Sequence, residues 1–147
     1  MKFQNIFLTF ATKFNQMPNI QSTLVFRWFE EVWNKGRESA IDEMLHPNII
    51  AHGIGDNNKI EGKENFKEFY RAFNDQFENI HVEVKETISE QDLEVALCRV
   101  TATHRPTKNK VDFTGMAMVK INNGKITEGW NNFDFLSMNL QVGYKLQ

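Results

Sequence analysis

Few residues in this chain could do chemistry, and the first is Asp134, which sits between two phenylalanines in "GWNNFDFLSM". Strict alternation along the strand that ends there puts Ile126, Glu128, Trp130, Asn132 and Asp134 on one face, with Thr127, Gly129, Asn131 and Phe133 on the other. Trp130, Asn132 and Asp134 are then expected to point into one space. If that space is apolar, desolvation favours the protonated carboxyl, and such tuning lets a carboxylate exchange protons with a carbon acid near neutral pH. A positioned general base typically contributes ~10²- to 10⁴-fold in rate. The same aspartate precedes "FLSMNLQ", a short helical pattern, and Asp is among the best N-caps. Spacing alone leaves both readings open.

His52, after the apolar "NIIA" and before a glycine, is the candidate to orient a substrate carbonyl or share a proton with a carboxylate; the alternative is a strand-end histidine bonded to nearby backbone. His104 stands beside "RPTKN", where it reads as a solvated turn residue and is carried as a substrate-binding candidate only beside that reading. Four scattered histidines without H-x-x-x-H or C-x-x-C spacing predict no metal site. Cys98, in "VALCRV", reads as a buried, inert thiol. There is no G-x-S-x-G elbow, and the "GIG" at Gly53 to Gly55 lacks the glycine spacing of a phosphate-cradling loop. Covalent and nucleotide chemistry fall away, and no cofactor is expected.

The elements that must position these residues follow from periodicity. Val25, Trp28, Phe29, Val32 and Trp33 mark one face of a helix that Gly36 stops. A short helix is expected from about Glu38 to Leu45, ended by Pro47, and "NIIAH" then reads as a strand. Phe66, Phe69, Tyr70, Phe73 and Phe77 repeat at helical spacing from Lys63 onward. Beyond Asn79 the period changes to two, and "IHVEVKETI", "LEVALCRVTATH", "VDFTGMAMVKI" and "KITEGWNNFDF" read as four strands of an antiparallel meander, with "NNG" as a tight hairpin. Helices first and sheet second is an α+β order, with helices packed on one sheet face. Thirteen Phe and three Trp either fill that core or line a cavity.

The 147 residues, 41% hydrophobic and 24% charged, suit one domain over 19–147, preceded by a poorly ordered extension over 1–18. A net charge of -2 without basic runs argues against nucleic acid and anionic membranes, and no apolar stretch approaches the roughly 20 residues of a membrane span. The opening "MKFQNIFLTFATKF" is not read as a signal peptide, and with a single cysteine the cytoplasm is the expected compartment.

The segments "FRWFEEVWNKGRESAIDEML", "HPNIIAHG", "EGKENFKEFYRAF", "VDFTGMAMVKINNGKITEGW" and "WNNFDFLSMNLQVG", in that order, resemble the SnoaL-like polyketide cyclase (ester cyclase) group of the nuclear transport factor 2-like superfamily. The resemblance implies a cone in which a strongly curved, mainly antiparallel sheet wraps around helices and encloses an apolar pocket. It implies an intramolecular aldol closure without metal or organic cofactor, with the Asp of W-x-x-x-D as acid/base; the matching residue is Asp134. It also places a polar residue near the end of the first strand, where His52 stands. Asn132 and His52 would polarise the carbonyl, and Trp130, Phe29, Trp33 and Phe69 would be walls. Compared with the family, "THRPTKNKVDF" is a short connection, which points to a smaller or different substrate.

Three functional expectations result. The first is a cofactor-free cyclase acting on a small apolar carbonyl compound through Asp134. The second is a non-catalytic binding or dimeric scaffold protein in which Asp134 only caps the terminal helix. The third is an isomerase or hydrolase, for which Glu128 is the extra carboxylate. A homodimer through the open sheet face is expected in each case.

Overall fold

The computed structural model describes residues 19–147, so the extension expected over 1–18 lies outside the described residues. Helix α1, Leu24–Trp28, begins at Thr23, whose hydroxyl accepts the Phe26 N–H, while Glu94, from a strand far along the chain, accepts the Val25 N–H at 2.7 Å. Two orphan donors of the first turn are thereby satisfied. The helix does not stay α-helical to Gly36. It widens into π-winding over Phe29–Asn34, where the Lys35 N–H reaches back to the Glu30 carbonyl. Helix α2, Ser39–Met44, buries Ala40, Ile41 and Met44.

Strand β1, Leu45–His52, starts three residues earlier than "NIIAH" suggests. Strand β2, Lys59–Glu61, was not expected, because three residues are too few to show a period. Helix α3, Lys63–Gln76, then buries Phe66 and Tyr70. The meander follows as β3, Phe77–Glu90; β4, Leu93–His104; β5, Lys110–Asn122; and β6, Lys125–Phe133. Asn123 and Gly124 turn the last hairpin with φ of 50° and 75°, the pair of left-handed residues a two-residue turn demands. Helix α4, Phe135–Val142, closes the chain against Gly143.

Six strands lie in the order β2-β1-β6-β5-β4-β3. Every neighbouring pair is antiparallel except β1 and β6, which run parallel. The sheet is curved and unclosed, with the helices on its inner face, so the α+β arrangement is the one expected. Residues from both layers form one core, from Val25 and Val32 on the helical side to Cys98 and Val111 on the sheet. Among the described residues, no helix is long and apolar enough to cross a membrane.

One irregularity in this sheet decides the site. Lys120 pairs with Glu128 and Ile121 with Ile126, leaving Thr127 as an extra residue on β6. Such a bulge reverses the alternation of side chains on either side of it. Ile126 faces inward before the bulge, and Gly129, Asn131 and Phe133 face inward after it.

Candidate functional site

Between the helices and the inner face of the sheet lies a chamber of about 80 Å³. The π-wound segment supplies Phe29 and Trp33, and α1 supplies Trp28. Asn34 secures that wall to β3 by a two-point clamp: its Nδ2 donates to the Val82 carbonyl at 2.9 Å and its Oδ1 accepts the Val82 N–H at 2.6 Å. Helix α3 brings Phe66, Phe69 and Phe73 to the chamber, and the Tyr70 hydroxyl ties it to the π-segment by donating to the Val32 carbonyl at 3.1 Å. The rings meet at angles; Trp28 and Phe66 lie 5.3 Å apart and Trp33 and Phe73 5.5 Å. From the sheet come Val100, Phe113 and Phe133, with Phe135 from the first turn of α4.

Phe133 has room because its neighbour across β5 is Gly115; a methyl group there would stand 2.4 Å from the phenyl ring. Gly53, with φ of 83°, permits a similar approach at the end of β1, where a Cβ would lie 1.9 Å from the Asn131 carbonyl oxygen. That contact sets Asn131 beside His52, and the Asn131 Nδ2 donates to the His52 carbonyl at 3.0 Å. Among the described residues, Asn131 is the only one lining the chamber that is not apolar or aromatic. Behind it, a hollow of about 30 Å³ shares Trp28, Phe66 and Asn131 with the chamber and is bounded by Gly129 and Ile126.

The structure separates the predicted site residues into two groups. Phe29, Trp33 and Phe69 stand in the chamber wall. The expectation that Trp130, Asn132 and Asp134 point into one pocket is corrected, because the Thr127 bulge turns them to the other side. Trp130 stacks on His52 on the outer face, with ring centroids 5.5 Å apart and planes 16° from parallel. Asn132 is exposed. Asp134 is exposed too, and its Oδ1 accepts the Ser137 N–H at 2.9 Å as the N-cap of α4. His52 faces outward because Ile49 and Ala51 take the inward positions of β1, and its Nε2 lies 3.7 Å from Glu128 Oε1. Glu128 is therefore on the outer face and not beside the chamber. His104 packs on Phe77 at the strand end and its Nδ1 meets the Thr107 hydroxyl at 2.8 Å, which is the turn role.

Reasoning from sequence missed Asn131. A signal for it existed: Ile126 and Phe133 are both large and apolar, yet seven residues apart in one strand, and both can face the core only if the alternation slips once between them. Cys98 matches its expectation. It is fully buried, and burial pushes its thiol up to about 12, so no thiolate forms near neutral pH.

The family model described as SnoaL-like polyketide cyclase matches residues 23–142. The chain matches no curated protein. Among solved structures, a candidate polyketide cyclase from Bacillus cereus is 28% identical, with 81% of this chain and 77% of that one covered and a TM-score of 0.71. A candidate SnoaL-like polyketide cyclase from a Jannaschia species is 22% identical, with coverage of 82% and 90% and a TM-score of 0.71. A protein of ketosteroid isomerase-like fold from Catenulispora acidiphila is 14% identical, with coverage of 84% and 95% and a TM-score of 0.74.

Proposed function

The chain belongs to the SnoaL-like polyketide cyclase family, and from that footing we propose that its chamber binds one small, compact, mainly apolar molecule without an acid or base inside the pocket. The observation that carries this reading is the lining: among the described residues it consists of aromatic and aliphatic side chains around a single amide, with no carboxylate, imidazole, lysine or arginine. Proton transfer needs a titratable group within hydrogen-bond reach of the reacting atom, and among the described residues the chamber wall holds none. Apolar burial supplies the driving force, at about 25 cal/mol per Å² removed from water. The volume of about 80 Å³ is well below the roughly 300–1,000 Å³ of typical small-molecule sites, so the ligand is small or the rings move apart to admit it.

The cyclase reading keeps one specific support. Asp134 lies between Phe133 and Phe135, both in the chamber wall, so a carboxylate released from its cap would stand at the edge of the site. Turnover of a small carbonyl compound would then require the first turn of α4 to open.

Tryptophan fluorescence distinguishes the two. In a Trp130→Phe background the remaining indoles, Trp28 and Trp33, both line the chamber. Titration with cyclohexanone is expected to give a saturable emission change and a raised Tm without consumption of the compound. No saturable change with compact apolar probes overturns the binding reading. Turnover that disappears in Asp134→Asn with the Tm kept establishes the cyclase reading in its place.

The outer sheet face is assigned in this proposal to a second copy of the chain. Ile88, Val95, Met118, Trp130 and His52 lie side by side across five strands, flanked by Leu97 and Met116. Ile88, Leu97 and Met116 are 70%, 40% and 49% exposed, an apolar patch of the kind that marks an interface.

A further inference from the structure

We propose that the ligand of the chamber is a small protonated amine on a compact apolar body, its positive N–H head seated on Asn131 among the ring faces. The inference rests on the chamber being a binding site. It replaces the expected carbonyl group with a hydrogen-bond donor.

One amide in the wall has a fixed orientation. The His52 carbonyl can only accept, so the Asn131 Nδ2, 3.0 Å away, must be the atom that faces it. That leaves Oδ1 as the opposite end of the amide, and among the described residues it has no hydrogen-bond partner. Among the described residues it is also the only side-chain acceptor in the lining, since the indoles of Trp28 and Trp33 are donors only. A ligand without a donor would dry this oxygen and leave it unpaired, which is costly. A ligand with an N–H pairs it.

Among the described residues, nine of the lining side chains are aromatic, and an aromatic face carries negative potential that attracts a cation, most strongly where water is excluded. Among the described residues no cationic side chain lines the chamber to oppose it.

Across Phe69, which belongs to both, the chamber adjoins an open groove of about 420 Å³. Among the described residues, Asp56, Glu61 and Glu68 line the groove against a single lysine, Lys59, whose Nζ is 2.5 Å from Glu61. The nearby Lys63 and Lys67 of α3 are engaged by Asp42 at 3.0 and 2.8 Å. A groove of that sign raises the local concentration of cations, an effect that weakens with salt.

Three probes with the same tert-butyl body test the head group: tert-butylammonium, tert-butanol and pinacolone, titrated calorimetrically at pH 7 and low salt. The ammonium is expected to bind at least about tenfold tighter than tert-butanol, with pinacolone weakest, and to lose affinity as salt is added. Asn131→Leu is expected to bring the ammonium to the level of the alcohol. If that variant does not fold, the ranking on the native chain decides alone. An ammonium that binds no tighter than tert-butanol overturns the cation class and leaves the pocket intact. Saturable binding by none of the three overturns the pocket reading and this inference with it.

Discussion

Replacing Asp134 by alanine and by asparagine separates its capping role from any role in chemistry. Alanine removes the bond between the Ser137 N–H and the Asp134 Oδ1, 2.9 Å in the structure, and losing an N-cap of this kind costs about 1 kcal/mol. A negative charge at an exposed helix N-terminus adds about 0.3–1 kcal/mol, which both variants lose. The alanine variant is therefore expected to lose about 1–2 kcal/mol in all, and for a domain of this size its Tm falls by about 3–8 °C. Asparagine caps nearly as well, so its loss is confined to about 0.3–1 kcal/mol. Far-UV circular dichroism melts measure both, and titrations read by Trp28 and Trp33 accompany them. Both variants are expected to hold ligand within about twofold of the native affinity, well under 1 kcal/mol. The reasoning is refuted if Asp134→Asn keeps its Tm but loses binding or turnover, because the carboxylate would then act on the ligand itself.

Two glycines of neighbouring strands are expected to respond oppositely to the same change. Gly115→Ala places a methyl group 2.4 Å from the Phe133 ring and 2.7 Å from its Cα, which costs about 1–3 kcal/mol and weakens ligand binding as the ring is displaced; Gly129→Ala meets nothing closer than 3.9 Å and is expected to melt at or above the native Tm. Cys98 is expected to resist thiol reagents at pH 8 until the chain unfolds. Burial raises its thiol from 9.0 to about 12, so stability is unaffected below pH 9; from there to about pH 12 only the unfolded chain ionises, and Cys98 contributes a loss of about 1.4 kcal/mol per pH unit, seen as a steeper slope than that of Cys98→Ala. Met116→Asp, which puts a charge on the outer face, is expected to convert a dimer into a monomer of 17.2 kDa in size-exclusion chromatography; native chain eluting as that monomer contradicts the interface.

The fold was legible wherever a period ran long enough to be recognised. Four long strands and the aromatic stripe of α3 carry their patterns over nine residues or more, so their types and order followed directly. The π-winding at Phe29–Asn34 was hidden because wider winding leaves Phe29 and Trp33 on one side, as α-helical spacing also does. Strand β2 was too short to show alternation. The site failed for a sharper reason: alternation was carried from Ile126 through Thr127, where the bulge slips it by one. Unbroken alternation puts the polar candidates of β6 on the wrong face and Asn131 among the outward residues. His52 followed a similar course, since two inward positions at Ile49 and Ala51 determine that it points out.

The central claim is that the ligand meets Asn131 in the chamber and not Asp134 or His52. An NMR titration with selectively labelled asparagine and tryptophan reads it most directly, using tert-butylammonium and tert-butanol as probes. The account predicts saturable shifts of the Asn131 side-chain amide and of the Trp28 and Trp33 indoles, with Trp130 unmoved. Shifts confined to Asn132 and Trp130, with Asn131 silent, would contradict it.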